Sequence, residues 1–128
     1  MALKLNVVLV ISLAIASLVY VASASSGTAT FYTKLRPSAC FESHDEGTMV
    51  AAASDSIWDH GKACGRKYRV RYTGGTSGGL AHPCRSRTVT VKIVDFCPRC
   101  QGTIDLSHQA FSAIADPVEG KIRIDFTQ

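Results

Sequence analysis

Asparagine is almost missing from this chain: Asn6 is the only one, and it lies in an apolar leader, so no N-linked glycan is available. Blocks of one charge are missing as well. The 14 basic and 10 acidic side chains are scattered, and a net charge of +4 is too small to argue for a nucleic-acid partner. There is no heptad pattern and no internal repeat. The run Gly74-Gly75-Thr76-Ser77-Gly78-Gly79 lacks the Gly-Lys-Ser/Thr ending of a phosphate-binding loop and reads as a flexible connection. Zinc-ligand spacing is absent too. Cys97-Pro98-Arg99-Cys100 stands without a second such pair, and His44, His60, His82 and His108 share no ligand spacing and read as surface residues. No metal and no cofactor are expected.

The chain has one long hydrophobic run, and it accounts for much of the 46% hydrophobic content. Met1 to Lys4 is a short basic start, Leu5 to Val21 is nearly all apolar, and Ala22-Ser23-Ala24 is a small-residue exit. A membrane span is the competing reading. The small residues, with no Lys/Arg stop-transfer cluster after them, point instead to a signal peptide over residues 1–24, removed without membrane insertion. Residues 25–128 then form one small, mildly basic domain of a size that leans on cross-links. All five cysteines lie in it, as an oxidising compartment allows. Five cysteines form at most two internal bridges and leave one thiol, and spacing alone leaves the pairing open.

Alternation dominates this domain. Tyr68, Val70 and Tyr72 take one face of a strand whose other face is Lys67, Arg69 and Arg71. Val89, Val91 and Ile93 share one side of Thr88 to Phe96, a side that Asp95 continues by parity, and Ile122, Ile124 and Phe126 repeat the pattern near the end. Weaker strands are expected at Gly27 to Thr33 and Thr48 to Ala53. Ser54 to Gly61 suits one or two helical turns ending at a glycine. Ser107 to Ala115, with Ala110, Phe111 and Ile114 as its apolar stripe, reads as a helix capped by Ser107 and ended by Asp116-Pro117. Short strands with two brief helices argue for a compact β-barrel.

Several segments occur in an order that resembles a known family: Thr28-Ala29-Thr30-Phe31-Tyr32, Ser38-Ala39-Cys40, Ala63-Cys64-Gly65-Arg66-Lys67-Tyr68, Val89 to Cys97, and Ile104-Asp105-Leu106-Ser107 with Ala110-Phe111. Together they resemble the plant natriuretic peptides, or endoglucanase-45-like domain proteins. These are relatives of the first expansin domain and, more distantly, of barwin and the family-45 endoglucanases. The resemblance implies a mainly β, six-stranded double-psi β-barrel with two short helices, secreted into the apoplast. It also implies bridges Cys40–Cys64 and Cys97–Cys100. The usual sixth cysteine is replaced by Tyr72, which leaves its partner Cys84 as a free thiol. The protein is expected to be a monomer, with a Cys84-linked dimer as the alternative. Tyr72 has inward parity, so its ring can fill the space of the missing bridge.

Glycoside hydrolysis needs two carboxyl groups. Asp105 matches the general acid of the related endoglucanases, although Thr103 stands where the expansin motif has His. At the position of the second carboxylate, after Phe31-Tyr32, stands Thr33, which cannot act as a base near neutral pH. Asp95 is the possible substitute. A non-enzyme is therefore expected, with Asp105 and Asp95 as vestigial catalytic candidates. Asp105 equally suits a role satisfying backbone donors at the helix start, and Asp95 that of a strand-end turn former.

Tyr32, Asp95, Asp105 and Trp58, with Phe31, are candidates for binding a sugar chain, against a core-packing reading for Trp58. Lys67, Arg69 and Arg71, with Arg85 and Arg87, suit acidic pectin or an acidic receptor, against charges that protect an edge strand. The second, cellulose-gripping domain of expansins is not expected here. The resemblance implies an extracellular signal in water and ion balance, acting through a plasma-membrane receptor and cyclic GMP, with activity associated with roughly residues 37–68. Cell-wall polysaccharide binding is the alternative, and a residual hydrolase or barwin-like defence protein a further one.

Overall fold

Period-two alternation closes into a ring. The computed structural model describes residues 24–76 and 88–128. The expected leader up to residue 23, the far end of the glycine run, His82, Arg85, Arg87 and the expected free thiol Cys84 lie outside the described residues. The strands are β1 (Ser25–Tyr32), β2 (Val50–Ala53), β3 (Lys67–Gly75), β4 (Thr88–Phe96), β5 (Ile104–Ser107) and β6 (Ile122–Thr127). Helix α1 (Asp55–Trp58) runs into a 3-10 turn (Asp59–Gly61), and α2 (His108–Ile114) precedes a second one (Pro117–Glu119). Around the barrel the order is β1-β5-β2-β4-β3-β6, closing back on β1. β1 runs parallel to β5 and β2 parallel to β4, and the other four pairings are antiparallel.

The inward positions are those that alternation predicts. Tyr68, Val70 and Tyr72 are 8%, 0% and 4% exposed, while Lys67, Arg69 and Arg71 are exposed. They meet Val91, Ile93, Ile104, Leu106, Ile122 and Ile124 in one core, which Phe111 and Ile114 of α2 join. Tyr72 fills inward space, as expected of a ring replacing a bridge, and its hydroxyl donates to Glu119 Oε1 at 3.4 Å. β5 is the strand that periodicity does not predict, because the sequence there reads as the approach to a helix. Its four residues are too few to display a period, yet Ile104 and Leu106 alternate about Asp105.

Two ties hold the connections. Cys40 and Cys64 are bridged, joining the segment after β1 to the turn before β3. Ser107 ends β5 and caps α2: its Oγ accepts from Ala110 N at 3.0 Å and donates to Thr48 O at 2.5 Å. Asp59, His60 and Gly61 all have positive φ, which stops α1 a residue or two before the expected glycine, and Arg66 pins that turn through Asp59 at 2.7 Å.

Replacing Cys40 and Cys64 together with Ser should lower unfolding free energy by about 3 kcal/mol, the loop-closure value for this separation, with the β-sheet circular dichroism spectrum retained. Ser107→Ala removes the α2 cap and the hydrogen bond that the buried Ser107 hydroxyl makes to Thr48 O, so about 1–2 kcal/mol should be lost. Urea midpoints measure both.

Candidate functional site

A polar row crosses the outside of the barrel. Because Ile104 and Leu106 fill the core, Asp105 between them points outward. Its register partners are Thr30 on β1 and Ala52 on β2. Thr30 Oγ1 donates to Asp105 Oδ1 at 2.9 Å. The next residue in the row, opposite Ala52, is Asp95 of β4.

Parity predicted Asp95 on the inward side, and the structure corrects this. Ala51 pairs with Ile93 but Ala52 pairs with Asp95, so Val94 is an extra residue, a β-bulge. The bulge turns Asp95 outward and lodges Val94, 2% exposed, outside the barrel core beside Val50, Leu35 and Ser38. Asp95 Oδ1 accepts from Ala39 N and Phe96 N, both at 2.9 Å, so the carboxylate secures the following turn and the segment after β1. That segment is also held by Glu46, which takes Lys92 Nζ at 2.6 Å and His44 Nδ1. Two strand spacings separate the Asp105 and Asp95 backbones, roughly 10 Å, with only the methyl of Ala52 between.

The electrostatics follow from this placement. Burial raises the Asp105 carboxyl above its ordinary pKa, the Thr30 hydrogen bond opposes the rise, and the charge of Asp95 adds to it. Tyr32 is raised by burial and then by the charges of Asp95, Asp105 and Cys97. Its hydroxyl is buried and makes no hydrogen bond among the described residues. The candidates Tyr32, Asp95 and Asp105 are thus one cluster, and the sequence reading missed Thr30 and Ala52, the hydroxyl and the floor between them.

The Cys97–Cys100 bridge that the resemblance implied is not formed. Both residues are thiols. The turn directs Cys100 Sγ at the carbonyl oxygens of Cys97, at 3.1 Å, and Gly102, at 3.5 Å, which it donates to instead of bonding to sulfur. Burial, Cys97 and Asp105 push the Cys100 thiol up to about 12, far from a reactive thiolate.

Trp58 lies apart from the row. It stacks on Phe96 with centroids 4.7 Å apart and lines a groove of about 870 Å³ with Asp59, Arg66, Tyr68 and Phe126. Thr33 is exposed, and Lys67, Arg69 and Arg71 stand on the outside of β3. Among the described residues no cluster of three metal-ligating side chains occurs, and no helix is long and apolar enough to cross a membrane.

Residues 50–126 match the sequence pattern of a double-psi β-barrel family described as lytic transglycolase. An EG45-like domain containing protein of Citrus jambhiri is 51% identical over 125 residues, 96% of this chain and 95% of its own. The apo expansin of Clavibacter michiganensis superposes with a TM-score of 0.65 at 26% identity, over 83% of this chain and 50% of that one. A mutant of the same expansin, solved in complex with cellohexaose, gives 0.63 at 25% identity over the same shares. This chain therefore spans about half of that expansin, and its ring of strands is the double-psi β-barrel.

Because the fold raises the Asp105 pKa, its contribution to stability is full below the unfolded-state pKa of about 3.9 and is lost as pH rises through the folded-state value. Asp105→Asn should therefore melt higher than the parent at about pH 7, and the gap should close by about pH 3. Thermal melts across that window check the sign.

Proposed function

The chain belongs to the EG45-like domain proteins, expansin-related double-psi β-barrels, and from that membership we propose that it is a non-hydrolytic extracellular module that binds a cell-wall polysaccharide. The observation that carries this reading is the row Thr30–Asp105–Ala52–Asp95 with Tyr32 beside it. A small floor flanked by two carboxylates lets a flat sugar ring approach the sheet, and carboxylates are strong acceptors for hydroxyl groups. The Tyr32 phenol adds a ring surface next to the same floor. The cellohexaose bound by the related expansin mutant supports a β-glucan as the first ligand to try.

Binding without cleavage is the expected chemistry. Inverting hydrolysis needs one carboxyl group as acid and another to activate water. Asp105, with its raised pKa, retains the character of the acid. Thr33 supplies no carboxylate, and one oxygen of Asp95 is engaged by two backbone amides. In this reading the second oxygen of Asp95 serves as a hydroxyl acceptor, and no carboxylate stands at Thr33 to direct water at the bond.

A second reading is the signalling role in water and ion balance, through a plasma-membrane receptor. The Cys40–Cys64 bridge favours it, because it ties the segment after β1 to the turn before β3 within residues 37–68.

The two readings separate in one set of assays. Purified protein should bind cellohexaose or sediment with cellulose, and Asp105→Ala should weaken binding roughly tenfold, as loss of a charge-assisted hydrogen bond of ~1.5 kcal/mol implies. No reducing sugar should appear. Unchanged binding by Asp105→Ala together with Tyr32→Ala would remove the site. A response of protoplast volume and cyclic GMP without polysaccharide binding would favour signalling, and steady sugar release lost in Asp105→Ala would establish an enzyme.

A further inference from the structure

The other arc of the barrel, β4-β3-β6, carries an outward surface of opposite character. Each outward residue of β3 from 67 to 71 is basic and exposed: Lys67, Arg69 and Arg71. The register sets Lys92 and Thr90 of β4 beside Lys67 and Arg69, and Thr127 and Asp125 of β6 beside Arg69 and Arg71. Arg123, also exposed, continues the surface along β6. Lys92 is bound to Glu46 and Arg71 to Asp125 at 2.8 Å, whereas Lys67, Arg69 and Arg123 have no ion pair among the described residues. Arg69, Arg71, Asp125 and Thr127 border a shallow depression of about 220 Å³.

Edge protection does not account for these charges. β3 is hydrogen-bonded to β4 along one side and to β6 along the other, so it offers no free edge to guard. Lys67 directly opposite Lys92 is a like-charge pair that weakens a sheet. Glu46 offsets Lys92 and Asp125 offsets Arg71, so the cations that the barrel's own ion pairs do not account for are Lys67, Arg69 and Arg123.

We propose that this face binds an acidic polysaccharide, a polyuronate chain, through Lys67, Arg69, Arg71 and Arg123, separately from the Asp105 row. Alternate residues along a strand repeat about every 6.8 Å, so the face sets cations in a row with the hydroxyls of Thr90 and Thr127 beside them, groups that pair with the carboxylates and hydroxyls of a polyuronate. A protein partner would need an apolar or aromatic anchor at the centre of its interface. None is present: the exposed large hydrophobic residues among those described are Met49 and Val118, on other elements. A nucleic acid would favour stacking aromatics and a larger positive charge than this chain has.

The test compares one polymer in two charge states. Purified protein is titrated with de-esterified polygalacturonate and with the same polymer fully methyl-esterified, which keeps the hydroxyls and removes the charge. The acidic form should bind and the ester should not, and binding should vanish at about 1 M salt, where charges are screened beyond about 3 Å. Lys67→Glu with Arg69→Glu should weaken binding at least about tenfold, with cellohexaose binding unchanged and the melting temperature no lower, because the carboxylate introduced at position 67 would face Lys92 as an opposite charge. If the double reversal does not fold, Arg69→Gln with Arg123→Gln should give a smaller loss in the same direction. Equal binding of acid and ester, undiminished binding by folded variants, or equally tight binding of duplex DNA or of a polyglutamate peptide would each overturn the assignment. Because the row and this face lie on different arcs, Asp105→Ala should leave polygalacturonate binding intact.

Discussion

One inserted residue organises the outer surface. Were β4 regular through residue 95, Asp95 would point into a core of Val91, Ile93 and Leu106, where an ionised carboxylate without partners costs several kcal/mol. The bulge at Val94 moves the charge to the outside and puts an isopropyl group beneath the segment after β1 in its place. Three results follow together: Asp95 joins Asp105 across Ala52, the turn after β4 gains an acceptor, and the segment carrying Cys40 gains an anchor through Cys40 N on Val94 O at 2.9 Å. The Asp105–Asp95 row and the packing of the covering segment are therefore one structural event. Bulges next to functional surfaces commonly re-aim a side chain in this way.

Closure of the barrel then divides its exterior into two territories. β1, β5 and β2, with the end of β4, present carboxylates and a small floor, and the rest of β4 with β3 and β6 presents cations and threonines with Asp125 among them. A closed ring has no edges, so its outside is free to carry chemistry that an open sheet would spend on preventing aggregation. With both proposed faces occupied, one rigid body would hold a neutral chain and an acidic chain together, each event raising the effective concentration of the other.

Much of the framework was legible because it rests on local patterning. β3, β4 and β6 alternate over enough residues for the period to show, the Ser107 cap is a local hydrogen bond, and Tyr72 announced its direction by parity. The failures are of another kind. β5 is short, and its pairing with β1 is a fact about residues 75 positions apart. The bulge inverts Asp95 without any glycine or proline to mark it. Whether β3 is an edge depends on closure, which no single strand encodes. Asp105 was legible through a resemblance, whereas the hydroxyl and methyl that complete its row were not, because Thr30 and Ala52 acquire a role only through register. The Cys97–Cys100 turn shows the same limit, since side-chain direction rather than spacing decides what a sulfur meets.

The pairing of β1 bears on how the chain reaches this state. Its two neighbours are β5 and β6, the last strands to be made. During synthesis the first strand must wait, with both hydrogen-bonding sides unsatisfied, until nearly every later residue has emerged, and the ring cannot shut before then. Such long-range pairing makes for slow acquisition of structure and prolongs the exposure of sticky backbone. Residues 25–30, Ser-Ser-Gly-Thr-Ala-Thr, carry no large apolar group, a composition suited to that wait.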